Sequence, residues 1–218
     1  MPNDLPRDTK SLFFSAFIDG LIFNNLTLVD FVGLTPIIAG GDTVESGLIL
    51  SAATLIVLVL VTLFAAFAGK KLTEKFLPVA CTLLSAVLLL PLALLFYRLM
   101  PNAMIKIGYI FFLVAVNGIT LNRVRNFRDR GIAATVGDAV GKGLGFAIVM
   151  FAVSALREIL GYGTFFNLPV PFFAHHASRL FAGVPGGFFF LAVLAQTIKF
   201  ISLKRQKNKE AANDDLPA

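Results

Sequence analysis

Three amides stand in apolar surroundings, where side chains able to hydrogen-bond are rare. Asn24 and Asn25 lie between Asp19 and Asp30, and Asn117 lies in a later apolar stretch. A buried amide without partners is costly, so each must find one. The sequence is compatible with ordinary bonds between packed helices and with a polar centre at which two half-helices meet.

A helix break is predicted shortly after the first amide pair. The run Gly33-Leu34-Thr35-Pro36 contains a proline, which cannot donate a backbone hydrogen bond and therefore breaks or kinks a helix. Gly40-Gly41 follows soon after. We expect two half-helices joined by a flexible junction.

The adjacent charges Arg157 and Glu158 follow a long apolar run. Neighbours at i and i+1 do not face each other on a helix, so each needs its own partner or must reach the membrane surface. Snorkelling of the long side chains is the favoured interpretation, with packing or a subunit contact as the alternative.

Several glycines precede these charges, and the pair Gly141-Lys142 is similar to part of a phosphate-binding loop. The spacing from Gly137 is one residue short, however, and no Ser or Thr follows the lysine. The separations Gly137/Gly141 and Gly141/Gly145 instead fit close packing of helices through small residues.

Other reactive residue types give no catalytic or metal-binding pattern. His175 and His176 are adjacent, which is a poor metal site without further ligands, and an interfacial loop is the better interpretation. The single cysteine, Cys81, excludes an internal disulfide.

Composition decides the class of protein. Hydrophobic residues make up 57% of 218 positions, charged residues only 15%, and the mean hydropathy is +0.82. Uncharged stretches run from Ser46 to Gly69 and from Phe76 to Tyr97, and each exceeds the roughly 20 residues needed to cross a bilayer. This is an all-α integral membrane protein in contact with membrane lipid.

The net charge of +6 does not indicate nucleic-acid binding, because the basic residues lie in short clusters between apolar segments. Residues 1–11 form an N-terminal segment, 12–203 a membrane domain, and 204–218 a flexible tail. Within the membrane domain the sequence predicts six helical spans, at about 12–39, 46–68, 77–99, 103–121, 139–160 and 181–203.

The basic clusters assign the orientation. Thirteen of these residues fall on one side of the predicted topology, in the N-terminal segment, the 2–3 loop, the 4–5 loop and the tail, against three on the other side. Because cytoplasmic loops carry an excess of lysine and arginine, both termini are expected in the cytoplasm.

The first and fourth spans are short or interrupted by charge. Each is the first of three consecutive spans, so the two occupy matching positions in the two halves of the chain. Asn24-Asn25-Leu26-Thr27-Leu28 is echoed by Asn117-Gly118-Ile119-Thr120-Leu121, and Gly47-Leu48 by Gly143-Leu144. An odd number of helices per repeat inverts the second copy, and interrupted segments at matched positions of such repeats indicate a central site. Chance similarity between apolar sequences is the alternative.

Taken together, residues 12 to 203 resemble a known family, which comprises the D and E subunits of the sodium-translocating NADH:quinone reductase and the A and E subunits of the Rnf electron-transport complex. The resemblance is closest to the branch that contains the D-type protein of the reductase and the E-type protein of Rnf. It is strongest in Phe23-Asn24-Asn25, Val32-Gly33-Leu34-Thr35-Pro36, Asp138-Ala139-Val140-Gly141-Lys142-Gly143-Leu144-Gly145-Phe146 and Arg157-Glu158-Ile159-Leu160-Gly161.

The resemblance implies two inverted three-helix repeats with helices 1 and 4 broken, in a bacterial inner (plasma) membrane. It also implies pairing with an inverted homologous membrane subunit, further Rnf- or Nqr-type subunits, and a [2Fe-2S] cluster for which each member of the pair supplies two cysteines.

This chain departs from the family at the cluster ligands. The family's cysteine positions are Thr35 and Gly118 here, and neither residue can supply the thiolate that an iron–sulfur cluster needs. Cys81 matches neither position. No cofactor is therefore expected on this chain.

Two functions follow as hypotheses. In the first, the chain is a divergent, non-catalytic membrane subunit of an Rnf-type or sodium-translocating oxidoreductase complex. In the second, it is a stand-alone transporter or channel-like protein on the same scaffold. In both, the half-helix junction or ion path is formed by Asn24, Asn25, Thr35, Asn117 and Gly118, while Gly141, Gly145, Arg157 and Glu158 serve packing or subunit contact.

Overall fold

The computed structural model describes residues 33–68, 75–118, 132–174, 177–197 and 200. This part of the chain is mostly helical, with one small antiparallel hairpin. In chain order its elements are α1 Leu34–Gly40, α2 Val44–Ala68, α3 Phe76–Leu99, α4 Pro101–Ile107, a 3-10 segment Gly108–Val116, α5 Ile132–Tyr162, β1 Thr164–Phe165, β2 Leu168–Pro169, α6 Pro171–Ala174, α7 Arg179–Ala182 and α8 Val184–Thr197.

Within the described residues, three helices are long and apolar enough to cross a membrane: Val44–Ala68, Phe76–Leu99 and Ala134–Tyr162. The helical membrane class is confirmed, and α2 and α3 lie within two residues of the predicted spans at 46–68 and 77–99. The first span up to residue 32 lies outside the described residues.

The fifth and sixth predicted spans differ from the observed helices. The prediction of 139–160 was too short at its start, because α5 begins at Ile132 and continues through Asp138. The Lys142 ammonium lies 3.0 Å from the Asp138 carboxylate one turn earlier. The two opposite charges therefore neutralise each other, and the helix can continue through Asp138. The prediction of 181–203 missed a break at Gly183, which separates α7 from α8.

Helices α2 and α5 form the centre of the bundle and run antiparallel. Gly47, near the start of α2, lies against Ser154, late in α5, whereas Gly143, early in α5, lies against Leu55 of α2. A side chain at either glycine would collide with the facing helix. The buried residues of the two helices form one apolar core, which includes Leu50, Ala53, Val57, Val61, Phe146, Val149, Met150 and Val153.

Helix α3 contributes only one narrow face to this core. Its buried residues recur every four positions, at Leu77, Cys81, Ser85 and Leu89. The Ser85 hydroxyl donates to the Cys81 carbonyl at 2.8 Å, which satisfies the one polar side chain on that face. The remaining surface of α3 is apolar and exposed, as expected for a helix that faces lipid.

One end of the bundle, called here the hairpin end, collects the end of α1, the start of α2, α4, the end of α5 and the β-hairpin. The Asp42 carboxylate lies 2.9 Å from the Lys106 ammonium and accepts a 3.0 Å hydrogen bond from the Tyr162 hydroxyl. The ammonium also lies 4.6 Å from the centre of the Tyr162 ring. These contacts place the α1–α2 loop, α4 and the end of α5 on the same side of the bundle.

The glycine contact between α2 and α5 gives a stability prediction. We expect Gly47→Leu to lower the free energy of unfolding by about 1–3 kcal/mol, because the new side chain must displace Ser154 and Met150. Unfolding can be followed in detergent with a thiol-reactive dye, since Cys81 is the chain's single cysteine and is 0% exposed.

The matched control is Gly183→Ala, where the nearest atom to a new Cβ is 3.5 Å away. An unchanged melting temperature for Gly47→Leu would show that the two helices do not approach as closely as described.

Candidate functional site: two helix breaks and the charges that hold them

The first of the predicted breaks falls at the start of α1, and the residues before Gly33 lie outside the described part of the chain. Gly33 precedes the helix with φ 86°, a left-handed conformation that favours glycine. Thr35 and Pro36 follow in the first turn, where a proline is tolerated because the first N–H groups of a helix have no partner within it. Thr35 is exposed on the chain, whereas Pro36 is buried.

The second break lies at Asn117. The 3-10 segment ends there, with the Asn117 backbone extended at φ −65° and ψ 127°. Asn117 is 3% exposed, and its N–H donates to the Val114 carbonyl at 3.2 Å. Gly118 is half-buried. Asn24 and Asn25, the other predicted members of this centre, lie outside the described residues.

The elements that carry the two breaks lie side by side. Helix α1 packs against the 3-10 segment, and a Cβ added to Gly40 would lie 3.0 Å from the Ile110 side chain. The 3-10 segment therefore begins beside the end of α1, at the hairpin end. Its buried residues Phe111 and Val114 join the core around α2 and α3.

Arg157 holds α1 from the side of α5. Its guanidinium donates from Nη1 to the carbonyls of Ile37 at 2.9 Å and Ile38 at 3.1 Å. It donates from Nη2 to the carbonyls of Ala182 at 2.6 Å and Gly183 at 3.1 Å. The Ile37, Ile38 and Ala182 carbonyls belong to the ends of α1 and α7, where they carry the negative end of the helix dipole. The Gly183 carbonyl also accepts a hydrogen bond from the N–H of Gly187 in the first turn of α8.

The space around this guanidinium requires residues without side chains. A Cβ at Gly187 would lie 3.1 Å from the Ile38 Cα and 3.3 Å from Arg157 Nη1. A Cβ at Gly161 would lie 2.7 Å from the backbone nitrogen of Ala182. Glycine at these two positions allows α5, α7 and α8 to close around one buried cation.

Glu158 holds two further elements. Its Oε2 accepts a 2.7 Å hydrogen bond from the N–H of Val44, the first residue of α2. Its Oε1 accepts from the Asn167 N–H at 2.8 Å and from the Thr164 hydroxyl at 3.1 Å, both in the β-hairpin. A carboxylate at a helix N-terminus is stabilised by the unpaired N–H groups and by the dipole.

The snorkelling interpretation of Arg157 and Glu158 is wrong for this structure. Arg157 is 1% exposed and Glu158 is 0% exposed, so neither side chain reaches the surface. Because adjacent residues project in different directions from a helix, the two charges bind different elements. No sequence pattern indicated these partners, since most of them are backbone groups.

Sequence reasoning also missed Thr43, whose hydroxyl caps α2. It accepts from the Ser46 N–H at 3.4 Å and donates to the Ser46 hydroxyl at 2.8 Å. A threonine three residues before a polar residue and an apolar run is the usual signal of a helix start, and it was available here.

The glycine run of α5 forms no phosphate loop. Gly141, Lys142 and Gly145 lie within the continuous helix α5, and both glycines are buried. The Lys142 ammonium is engaged by Asp138. A phosphate-binding loop needs a turn whose N–H groups converge on the ligand, and a regular helix does not provide one.

The residues at the two breaks do not fit an iron–sulfur cluster. Thr35 offers a hydroxyl and Gly118 no side chain, whereas such clusters are held by thiolates. The chain's one cysteine, Cys81, lies on α3 among core residues. Among the residues that the structure describes, no group of three His, Cys, Asp or Glu side chains could hold a metal ion.

The four-carbonyl contact of Arg157 gives a second prediction. We expect Arg157→Lys to lower the melting temperature in the Cys81 dye assay, because an ammonium cannot reproduce two forked pairs of bonds. Each hydrogen bond to a charged group contributes about 1.5–3 kcal/mol, so loss of even one is measurable. Arg98→Lys, at an exposed end of α3, is the control. Equal melting temperatures for the two variants would contradict the described contact.

The amino-acid sequence matches a known protein family. The family described as "Rnf-Nqr subunit, membrane protein" matches residues 13–195. The matched region contains both breaks and both charges on α5.

Individual relatives agree with that match. The E subunit of the Na(+)-translocating ferredoxin:NAD(+) oxidoreductase complex of Acetobacterium woodii is 28% identical, over 88% of this chain and 98% of the relative. The E subunit of an ion-translocating oxidoreductase complex of Haemophilus influenzae is 30% identical, over 85% of each chain. The corresponding protein of Shewanella frigidimarina is 34% identical, over 68% of this chain and 64% of the relative. The chain belongs to the Rnf-Nqr family of membrane subunits.

Proposed function

We propose that this chain is the E-type membrane subunit of an Rnf-type, ion-translocating oxidoreductase complex. The observation that carries the proposal is the family match over residues 13–195, together with relatives named as E subunits that align over most of their length. The chain acts with other subunits and has no catalytic centre of its own.

We also propose six spans in two inverted repeats. The central helices support this, because Gly47 of α2 and Gly143 of α5 each receive the facing helix at matched positions of the two halves. The start of α1 and the end of the 3-10 segment support it too. In the proposed arrangement, α1 is the half-helix of the first repeat and the 3-10 segment is that of the second. An inverted homologous subunit is the expected membrane partner.

The orientation is part of the same proposal. The loops at the hairpin end hold few basic residues, whereas the basic clusters lie in connections that lead to the opposite end. Under the positive-inside rule the hairpin end faces away from the cytoplasm, and both termini lie in the cytoplasm of a bacterial inner membrane.

The half-helix junction in this chain would be polar without being a cluster site. Thr35, Asn117 and Gly118 offer a hydroxyl, an amide and backbone groups. Groups of this kind line ion paths where helices are interrupted in a membrane. We therefore propose a structural or ion-conducting role for the junction, with no metal ligand from this chain.

Co-purification tests the assignment to a complex. An affinity tag on the full chain, expressed from its own chromosome, should recover a second membrane subunit of the same family together with flavin- and iron–sulfur-containing subunits. Recovery of the chain alone, in mild detergent and after chemical crosslinking in the membrane, would contradict the proposal and favour a stand-alone transporter.

The missing thiolates can be tested by removing and by restoring cysteines. In the purified complex we expect Cys81→Ser to leave iron and acid-labile sulfide unchanged, because this chain provides no ligand. In a Thr35→Cys/Gly118→Cys double variant we expect additional iron and sulfide, since the two new thiolates would complete a four-thiolate set with two cysteines of the proposed partner subunit. Each single variant is the matched control. Loss of iron in Cys81→Ser would overturn the proposal.

A further inference from the structure

The connection between α5 and α7 has an unusual composition for a loop outside a membrane. From residue 159 to residue 178 the sequence contains no Asp, Glu, Lys or Arg, and it includes four phenylalanines. The structure folds its first part into the hairpin β1–β2 and the short helix α6. Three of its large apolar side chains are exposed: Phe166 at 39%, Leu168 at 69% and Phe172 at 76%.

This connection does not project away from the bundle. The N–H of Asn167, at the tip of the hairpin, is bound to Glu158, which lies one turn before the end of α5. The N–H of Ser178 donates to the Leu160 carbonyl at 2.9 Å. The hairpin tip and the residue before α7 therefore lie beside the last turns of α5.

The hairpin tip is held in a strained conformation. Phe166 has φ 52° and Asn167 has φ 60°, both in the left-handed region. Asparagine tolerates this region, but for a bulky residue such as phenylalanine it is uncommon and costs free energy. The hydrogen bonds that Glu158 accepts from Thr164 and Asn167 offset that cost and hold the hairpin tip, with Phe166, in place.

The level of the membrane surface at this end is marked by tyrosines. The chain has three, Tyr97, Tyr109 and Tyr162, and all of them lie at the hairpin end and are exposed. Tyrosine is enriched where a membrane protein crosses the membrane–water boundary. Glu158 lies four residues before Tyr162, which is about 6 Å deeper along the helix.

We propose that the hairpin and α6 form a fixed anchor in the boundary between lipid headgroups and acyl chains, at the hairpin end of the bundle. Phe166, Leu168 and Phe172 would insert there, at the depth of about 5–10 Å that interfacial apolar side chains reach. Leu180 of α7 and Val184 of α8 are also exposed, so the apolar surface continues from the anchor toward a predicted membrane span. That continuity favours lipid over a protein partner as the contacting surface. The proposal does not depend on whether the chain takes part in electron transfer.

The absence of tryptophan from the sequence allows a direct test. Leu168→Trp and Phe172→Trp each place a single tryptophan at an exposed position. The tagged chain, with the subunits that co-purify, is reconstituted in phosphatidylcholine vesicles whose acyl chains carry bromine either near the headgroup or near the chain end. The signal of each variant is the fluorescence in excess of that from the same preparation with the unsubstituted chain. We expect the shallow bromines to quench both tryptophans more strongly than the deep bromines.

Phe151→Trp is the control for depth, because this exposed residue of α5 lies eleven positions before Tyr162, about 16 Å along the helix. It should show the opposite preference. Iodide quenching of Leu168→Trp without lipid quenching would show that the hairpin lies in water, and protection from both quenchers would show that a protein covers it. Either result would overturn the proposal.

The role of Glu158 in positioning the anchor needs its own readout. In a Glu158→Ala background we expect Leu168→Trp to lose its preference for shallow bromines, while Phe151→Trp keeps its preference for deep ones and so reports an intact bundle. A retained shallow preference at Leu168→Trp would show that the bonds from Glu158 do not set the depth of the hairpin.

Discussion

The hairpin end of this protein depends on satisfying backbone groups at helix ends where water is scarce. Four elements, namely α1, α2, α7 and the β-hairpin, present backbone carbonyl or N–H groups to the last turns of α5. In an apolar environment such groups are costly. Arg157 supplies donors to the ends of α1 and α7, and Glu158 supplies acceptors to α2 and the hairpin. Two adjacent residues of one helix thus stabilise four other elements.

This arrangement explains how so short a helix as α1 is held in place. Helix α1 has seven residues, too few to be stable alone. Its position is set by the bonds from Arg157 to Ile37 and Ile38 and by packing against the 3-10 segment. None of these contacts involves Thr35 or Gly118. The interactions that hold α1 in place therefore do not depend on the side chains at these two positions.

The sequence predicted the helix bounds that follow from apolar composition along the chain. It missed the side-chain contacts whose partners are backbone groups far away in the sequence. The bounds of α2 and α3 followed from long uncharged runs. The predicted fifth span began only after Asp138, whereas α5 begins at Ile132 and carries Asp138 paired with Lys142 one turn later. Snorkelling was wrong for Arg157 because its partners, such as the Ile37 carbonyl, lie 120 residues away and leave no trace in side-chain patterns. The proposed roles of Asn24 and Asn25 stay predictions.

The spacing of charged and aromatic residues on α5 also bears on the depth of the first break. Lys142 and Tyr162 are twenty residues apart on one helix, which is about 30 Å and equal to the thickness of a bilayer's hydrocarbon core. With Tyr162 at one surface, Arg157 lies about 7 Å below it. Arg157 binds the Ile38 carbonyl, and Thr35 precedes Ile38 by nearly one helical turn. On the proposed placement of Tyr162 at the membrane boundary, Thr35 would lie about 12 Å below that boundary. Arg157 satisfies the carbonyls of Ile37 and Ile38 at the C-terminal end of α1 inside the bundle, so this short helix can end there without those groups having to contact water.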